Sequence, residues 1–363
     1  MNVAPRSTRA QCVTKINQSS GYPMCVTQLL AMLLLVLACS VTALADEPAS
    51  GEDWVIFVSQ RTGAAELYLL NLNTRQVSQL TNTGRGHLTP AVSSGGRTIS
   101  FAAREGSNYE LFTAQISSAW RTRRPLLAAI NRLTVDTIDE INPTLSSDGS
   151  TLAFASGRGI ELMSGTGAGR RVLVPSSPDH FDFAPALSPD GRQVAFISNR
   201  GGAKEIWLAT TASGELRQLT HGGEVVGGLG WSADAQQIIF TTTATASKLS
   251  GIALAEAANG SFRVLTQGGD GEPAISPSGT RIVFTSLRDG DPELYLLDLR
   301  TNAVERLTNN PGVDGAAVFL PAPISPNNRT LPSRRTAALE RDVDNLHEYR
   351  QSKVNTQGAS LVH

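Results

Sequence analysis

The sequence predicts an all-β fold: a six-bladed β-propeller of four-stranded blades, closed by pairing the C-terminal strand with the N-terminal blade. Three observations carry this expectation. A unit of roughly 40 to 50 residues recurs along 53–321, the length of one propeller blade. Within each unit large apolar residues alternate with small ones at period two, which suits strands and not helices. The repeat is also cut at both ends, so that its two end fragments together make one further blade.

Each unit opens on an apolar strand ending in Pro-x-x-Ser or its counterpart, followed by a tight turn. The turns are Ser94-Gly95-Gly96, Ser147-Asp148-Gly149, Pro189-Asp190-Gly191, Ala233-Asp234-Ala235 and Pro277-Ser278-Gly279. Glycine there supplies the positive φ that a two-residue hairpin needs. The second strands follow at once: Ile99-Ser100-Phe101, Leu152-Ala153-Phe154, Val194-Ala195-Phe196, Ile238-Ile239-Phe240 and Ile282-Val283-Phe284. Third strands read Glu66-Leu67-Tyr68, Glu110-Leu111-Phe112, Ile160-Glu161-Leu162, Glu205-Ile206-Trp207 and Glu293-Leu294-Tyr295, with a weaker Gly251-Ile252-Ala253. The fourth ends at Leu80-Thr81, Leu133-Thr134, Leu173-Val174, Leu219-Thr220, Leu265-Thr266 and Leu307-Thr308. Asp53 to Phe57 reads as a second strand lacking its first, and Asp314 to Pro321 as a first strand lacking its successors. Pairing the two would hide both edges of the sheet.

Length alone would suggest two or three domains for 363 residues, but the repeat makes 53–321 one unit. Lysine plus arginine (31) nearly cancels aspartate plus glutamate (32), so no electrostatic footprint for nucleic acid or an anionic membrane surface is present. A monomer without nucleic-acid partners is expected, touching membrane only through partners or an uncleaved leader.

The stretch Val26 to Ala45 has no charged residue and follows the basic Arg6, Arg9 and Lys15, the make-up of a secretory signal. Ala43-Leu44-Ala45 offers small residues before a cleavage point, giving a leader over 1–45, a linker over 46–52 and a periplasmic or secreted product. A retained anchor, a lipid attachment at Cys39 and a start at Met24 are the alternatives. Cys12, Cys25 and Cys39 all fall in the leader, so the mature chain would carry no disulfide and no catalytic thiol.

The phrases running from Ala186 to Thr210 and from Ala274 to Leu299 are similar to the WD40-like (PD40) propeller repeats of the TolB family. The similarity covers 53–321 and recurs six times. It implies a periplasmic six-bladed propeller that binds a protein or peptide of the cell envelope, as in the Tol-Pal system. Only Asp46 to Glu52 separate the expected cleavage point from the first strand, so the family's N-terminal α/β domain is expected to be missing. Similar repeats occur in the propellers of prolyl-oligopeptidase-type peptidases and oligogalacturonate lyases, and fold by itself does not decide among these functions.

Counting three residues back from the proline of each first strand gives a column: His87, Glu140, Asp182, Val226, Asp270 and Asp314, with Asp139 and Glu272 near by. Carboxylates gathered at a channel mouth could bind a basic segment, or Ca²⁺ or another divalent cation; no other cofactor is expected. Arg61, Arg104, Arg158, Arg200 and Arg288, in the turns between second and third strands, belong to the same face. They would match acids on a partner or pair with the neighbouring carboxylates as exposed ion pairs. His87, His180 and His221 lie in connections between blades and suit Mn²⁺ or Zn²⁺, the basis of an alternative as a metal-dependent, oligogalacturonate-lyase-like enzyme acting on polysaccharide. They stand at different offsets from their strands. No Gly-x-Ser-x-Gly elbow is present, and Gly165 to Gly169 is a hairpin loop, not a dinucleotide fingerprint.

The segment Ser117 to Asn131 lengthens the second blade as a solvated insertion. Beyond Pro321 a tail over 322–363 is expected to be partly disordered, with Leu339, Val343 and Leu346 at helical spacing inside a short helix over 336–351. The function expected is an exported, non-catalytic, TolB-like adaptor.

Overall fold

The computed structural model describes residues 53–321, apart from 94, 96–97, 117–126, 223–224 and 244–248. The expected leader, the linker, most of the insertion and the tail with its helix lie outside the described residues. Among the described residues no helix is long and apolar enough to cross a membrane.

Six four-stranded antiparallel sheets form the ring. Blade 1 holds β1 (Trp54–Thr62), β2 (Ala64–Asn71) and β3 (Val77–Gln79). Blade 2 runs β4 (His87–Val92), β5 (Thr98–Glu105), β6 (Asn108–Ile116) and β7 (Leu127–Arg132). Blade 3 runs β8 (Glu140–Leu145), β9 (Thr151–Ser156), β10 (Gly159–Ser164) and β11 (Arg171–Pro175), and blade 4 β12 (Asp182–Leu187), β13 (Gln193–Gly201), β14 (Ala203–Thr210) and β15 (Leu216–Gln218). Blade 5 comprises β16 (Val225–Trp231), β17 (Gln237–Thr242), β18 (Gly251–Glu256) and β19 (Phe262–Val264); blade 6 comprises β20 (Asp270–Ile275), β21 (Arg281–Ser286), β22 (Glu293–Asp298) and β23 (Val304–Arg306). The last strand, β24 (Asp314–Phe319), joins blade 1 through Val55 opposite Phe319 and Ser59 opposite Asp314. The two ends of the repeat thus close the ring as the sequence predicts.

Period two explains the core. Alternate residues of a second strand face opposite neighbours: on β13, Val194 and Phe196 pack toward blade 3, while Ala195 and Ile197 pack toward blade 5. Six apolar clusters result, one at each contact between adjacent blades. Phe57, Phe101, Phe154, Phe196, Phe240 and Phe284, one per blade, are the largest fully buried side chains. Each fully buried ring is worth ~2 to 3 kcal/mol of transfer free energy.

The innermost strand of every blade carries a bulge. Its residue has positive φ: Thr89 (40°), Asn142 (53°), Ala184 (49°), Gly228 (56°), Glu272 (49°) and Ala316 (49°). In four blades proline follows directly, at Pro90, Pro143, Pro185 and Pro273. Proline cannot donate to a ladder, and a bulge on the innermost strand is where that loss is tolerated.

Candidate functional site

The residues at the start of each inner strand pair with the end of the second strand. Asp182 faces Ser198, Asp270 faces Ser286, Asp314 faces Ser59 and Glu140 faces Ser156. In blade 5 the same register falls on Val225, opposite Thr242, and not on Val226 as the count from proline gives. Two register shifts in β16 absorb the extra residue. The column is not an open ring of charge: Glu140, Asp270 and Asp314 are fully buried, and the side chains of His87 and Asp182 nearly so.

Three of the acids are held by the same device. In Ser59-Gln60-Arg61, Ser198-Asn199-Arg200 and Ser286-Leu287-Arg288, the arginine Nε donates to the serine Oγ at 2.8, 2.9 and 2.9 Å. Nη2 then donates to Asp314 at 2.9 Å, to Asp182 at 2.8 Å and to Asp270 at 2.9 Å. Each guanidinium covers two rings of its own blade: Phe57 and Tyr68, Phe196 and Trp207, Phe284 and Tyr295. Burial pushes Asp314 above the usual carboxylate range against the pull of Ser59 and Arg61. At Asp270 burial acts in the same sense, but Ser286, Thr266 and Arg288 outweigh it and hold the carboxyl low.

Arg104 and Arg158 depart from this pattern. Arg104 donates only a long bond to the Gly106 carbonyl, because the inner residue of its blade is His87 and its serine position is Ala103. In blade 3 the hairpin Gly157-Arg158-Gly159 is short, so Arg158 turns outward to Asp136 at 3.2 Å. Arg170 takes the vacated place over the Phe154 ring and binds Glu140 at 2.9 Å, Glu161 at 2.7 Å and Asp136 at 3.1 Å. Sequence reasoning missed Arg170 because it enters from the loop between third and fourth strands.

A second buried column was legible only as a strand marker: Glu66, Glu110, Glu161, Glu205 and Glu293. The threonine of the Leu-Thr pairs donates to this column at Glu205 and Glu293. Thr81, Thr134, Thr220, Thr266 and Thr308 accept the third-strand N–H of Leu67, Leu111, Ile206, Ile252 and Leu294 at 2.8 to 3.0 Å. Glu66 and Glu293 reach onward to N–H groups of the connection to the next blade.

The histidines do not converge. His87 Nε2 lies 3.2 Å from Glu66, His180 Nε2 lies 3.4 Å from Asp182, and His221 meets Gln218. Among the described residues no group of three His, Cys, Asp or Glu is placed to hold a metal ion.

A cavity of ~420 Å³ lies between the inner strands. It extends from the bulge ring to the turns between first and second strands, toward Ser147, Pro189, Ala233 and Pro277. That is the end of the inner strands opposite to the acidic column. Its lining is apolar and neutral, including Pro143, Pro185, Leu229 and Trp231, with Glu272 as the one charged residue among the described ones. Glu272 accepts from Thr285 at 2.9 Å and from the Ala316 N–H of blade 1 at 2.8 Å. Two other hollows lie between adjacent blades. One, ~460 Å³, is bounded by Gly157, Phe181 and Lys204; the other, ~630 Å³, is a polar cleft with Arg75, Arg281 and Arg300.

No family model matches the chain. A TolB homologue of Chlorobium chlorochromatii is 30% identical over 146 residues, 40% of this chain and 31% of that protein. The Tol-Pal system protein TolB of Francisella tularensis is 26% identical over 208 residues, 54% of this chain and 45% of that protein. The chain therefore spans a third to a half of the length of these curated relatives. The crystal structure of TolB from Acinetobacter baumannii superimposes with a TM-score of 0.63 at 18% identity, covering 84% of this chain and 75% of that one. The described region is a six-bladed β-propeller, similar in part of its sequence to TolB homologues and in its fold to TolB.

Proposed function

We propose that this chain is an exported, non-catalytic adaptor that takes a short segment of a cell-envelope protein into its axial cavity. The observation that carries the reading is the contrast between the two ends of the inner strands. At one end the acids of the inner strands are buried against arginines within the blades. At the other end six strands converge on an open, mostly apolar hollow of ~420 Å³ with Trp231 and, among the described residues, a single carboxylate, the make-up of a pocket that grips side chains of a partner. His87, Glu140, Asp182, Asp270 and Asp314, with Arg61, Arg200 and Arg288, enter this reading as the frame that keeps the blades in register. The likeness to proteins named for the Tol-Pal system supports an envelope partner, and the apolar segment over 26–45 supports export.

The test is photo-crosslinking in cells from a reactive residue placed at Leu229, with Phe262 on an outer strand as the control position. A discrete envelope protein should be recovered from Leu229 alone. Recovery should be lost when Ala184→Arg and Ala316→Arg fill the cavity without lowering the melting temperature. Equal recovery from both positions, or crosslinks indifferent to the filled cavity, would overturn the proposal.

A further inference from the structure

Blade 3 and the connection that leads into it gather more acid than base around a buried carboxyl. Asp136, Glu140 and Glu161 surround Arg170 at 3.1, 2.9 and 2.7 Å, and Arg158 adds a second cation 3.2 Å from Asp136. Three carboxylates against two guanidiniums leave one negative charge over. Glu140 is fully buried and Glu161 is 1% exposed, whereas Asp136 reaches solvent, so the charge left over is least stable on a buried member of the group. The geometry shows where the imbalance is relieved. Glu140 Oε1 accepts from Arg170, while Oε2 is buried without a hydrogen-bond donor. Asp136 and Glu140 are bound by the two terminal nitrogens of the same guanidinium, Nη1 and Nη2 of Arg170, at 3.1 and 2.9 Å, which brings their carboxyls side by side. Two carboxylates so placed repel, and one proton between them removes both the repulsion and the orphaned acceptor.

We propose that Glu140 and Asp136 hold a single proton between them and form a pH-sensitive latch on the connection between blades 2 and 3. That connection, residues 133–139, is fastened largely through Asp136. Its N–H donates to Glu110 of blade 2 at 3.3 Å, its Oδ1 accepts the Ile138 N–H at 2.9 Å, and its Oδ2 binds Arg158 and Arg170 of blade 3. Asp139 adds a bond from the Tyr109 N–H at 2.8 Å. Loss of the proton from Glu140 sets two adjacent carboxylates against each other and makes them compete for Arg170, which loosens the connection.

The other charged groups at this end of the neighbouring strands do not supply the missing charge. Asp182 on β12 is neutralised by Arg200, Glu110 on β6 by Arg132, Glu105 on β5 by Arg85, and Arg104 on β5 is exposed. Burial, outweighing the opposing pull of Glu66, lowers the pKa of His87 on β4 and so disfavours a positive charge there. Burial likewise pushes the Glu140 carboxyl up to about 7, against Arg170 and with the charge of Asp136. At Asp136 burial opposes ionisation, but the Ile138 N–H, Glu140, Arg170 and Arg158 outweigh it and keep the group ionised.

The test is hydrogen exchange in the full chain at pH 5.5 and pH 8, each corrected for intrinsic exchange. Protection of amides in 133–139 should fall about tenfold or more between the two values in the wild type, and stay level in Glu140→Gln, whose amide keeps a donor toward Asp136 without needing a proton. Level protection in the wild type, or the same fall in both proteins, would overturn the latch. Should Glu140→Gln fail to fold, difference infrared spectroscopy of the wild type with isotope-labelled glutamate decides. A protonated carboxylic-acid band present at pH 5.5 and gone by pH 8 is the expected result, and no such band at pH 5.5 defeats the proposal.

Discussion

His87 Nε2 lies 3.2 Å from Glu66 Oε2, and this buried contact ties the inner strand of blade 2 to the third strand of blade 1. Glu66 Oε1 also accepts the N–H groups of Thr83 and Gly84 at 2.7 and 2.6 Å. Removing the carboxylate in Glu66→Ala should therefore cost about 2 to 3 kcal/mol, for two lost hydrogen bonds to a charged group, read from chemical denaturation. Burial, partly opposed by Glu66, lowers the His87 pKa below its ordinary 6.5. Neutral His87 is thus favoured by folding, and the stability it contributes is present above pH 6.5 and lost as pH falls below it. An NMR titration should place the His87 midpoint under 6.5, and lower still in Glu66→Gln. A midpoint at or above 6.5 would contradict the burial argument.

Arg200 and Arg104 occupy equivalent turns, yet only Arg200 faces a buried acid. Arg200→Ala leaves Asp182 buried with its main counter-charge gone, an expected loss of about 3 kcal/mol. Arg104→Ala should stay within about 0.5 kcal/mol of the wild type. Parallel urea titrations of the two variants check the difference, and equal losses would mean that the Asp182 pair is not structural.

Ala235 holds φ at 58° in a hairpin where Gly149, Gly191 and Gly279 hold 70 to 71°. An L side chain there is strained, so Ala235→Gly should raise stability by about 0.5 to 1 kcal/mol and Gly191→Ala should lower it by about 1 to 2 kcal/mol. The sign of the melting-temperature change in the two variants is the readout.

Thr308 Oγ1 accepts the Leu294 N–H at 3.0 Å and donates to Glu293. Thr308→Val keeps the volume but orphans both groups in the interior, and calorimetry should record a loss of about 1 to 3 kcal/mol. No measurable loss would show that water replaces the hydroxyl.

The hairpin Asp residues illustrate what local sequence can say. Asp148, Asp190 and Asp234 each accept from a serine two residues back and from the N–H two residues on. These bonds draw Asp148 down to about 2 and the other two below the usual range. A five-residue motif contains all the partners, so the turn is readable without the fold. Ser-x-Arg is equally local, but its acid comes from the neighbouring inner strand, 18 residues away for Arg200 and 253 for Arg61. Nothing along the chain distinguishes an aspartate facing solvent from one buried under a guanidinium.

Period-two alternation, turn residues and the split first blade determined the fold from sequence alone, because strand pattern and hairpin chemistry act over a few residues and each repeat restates them. Tertiary structure alone decided three matters: that Arg170 replaces Arg158 over Phe154, that Val225 and not Val226 stands in register with the acids, and that the cavity lies at the other end of the inner strands. Each depends on which groups six converging strands bring together, and burial in that ring, not residue type, settles which charges are neutralised and which surfaces stay open.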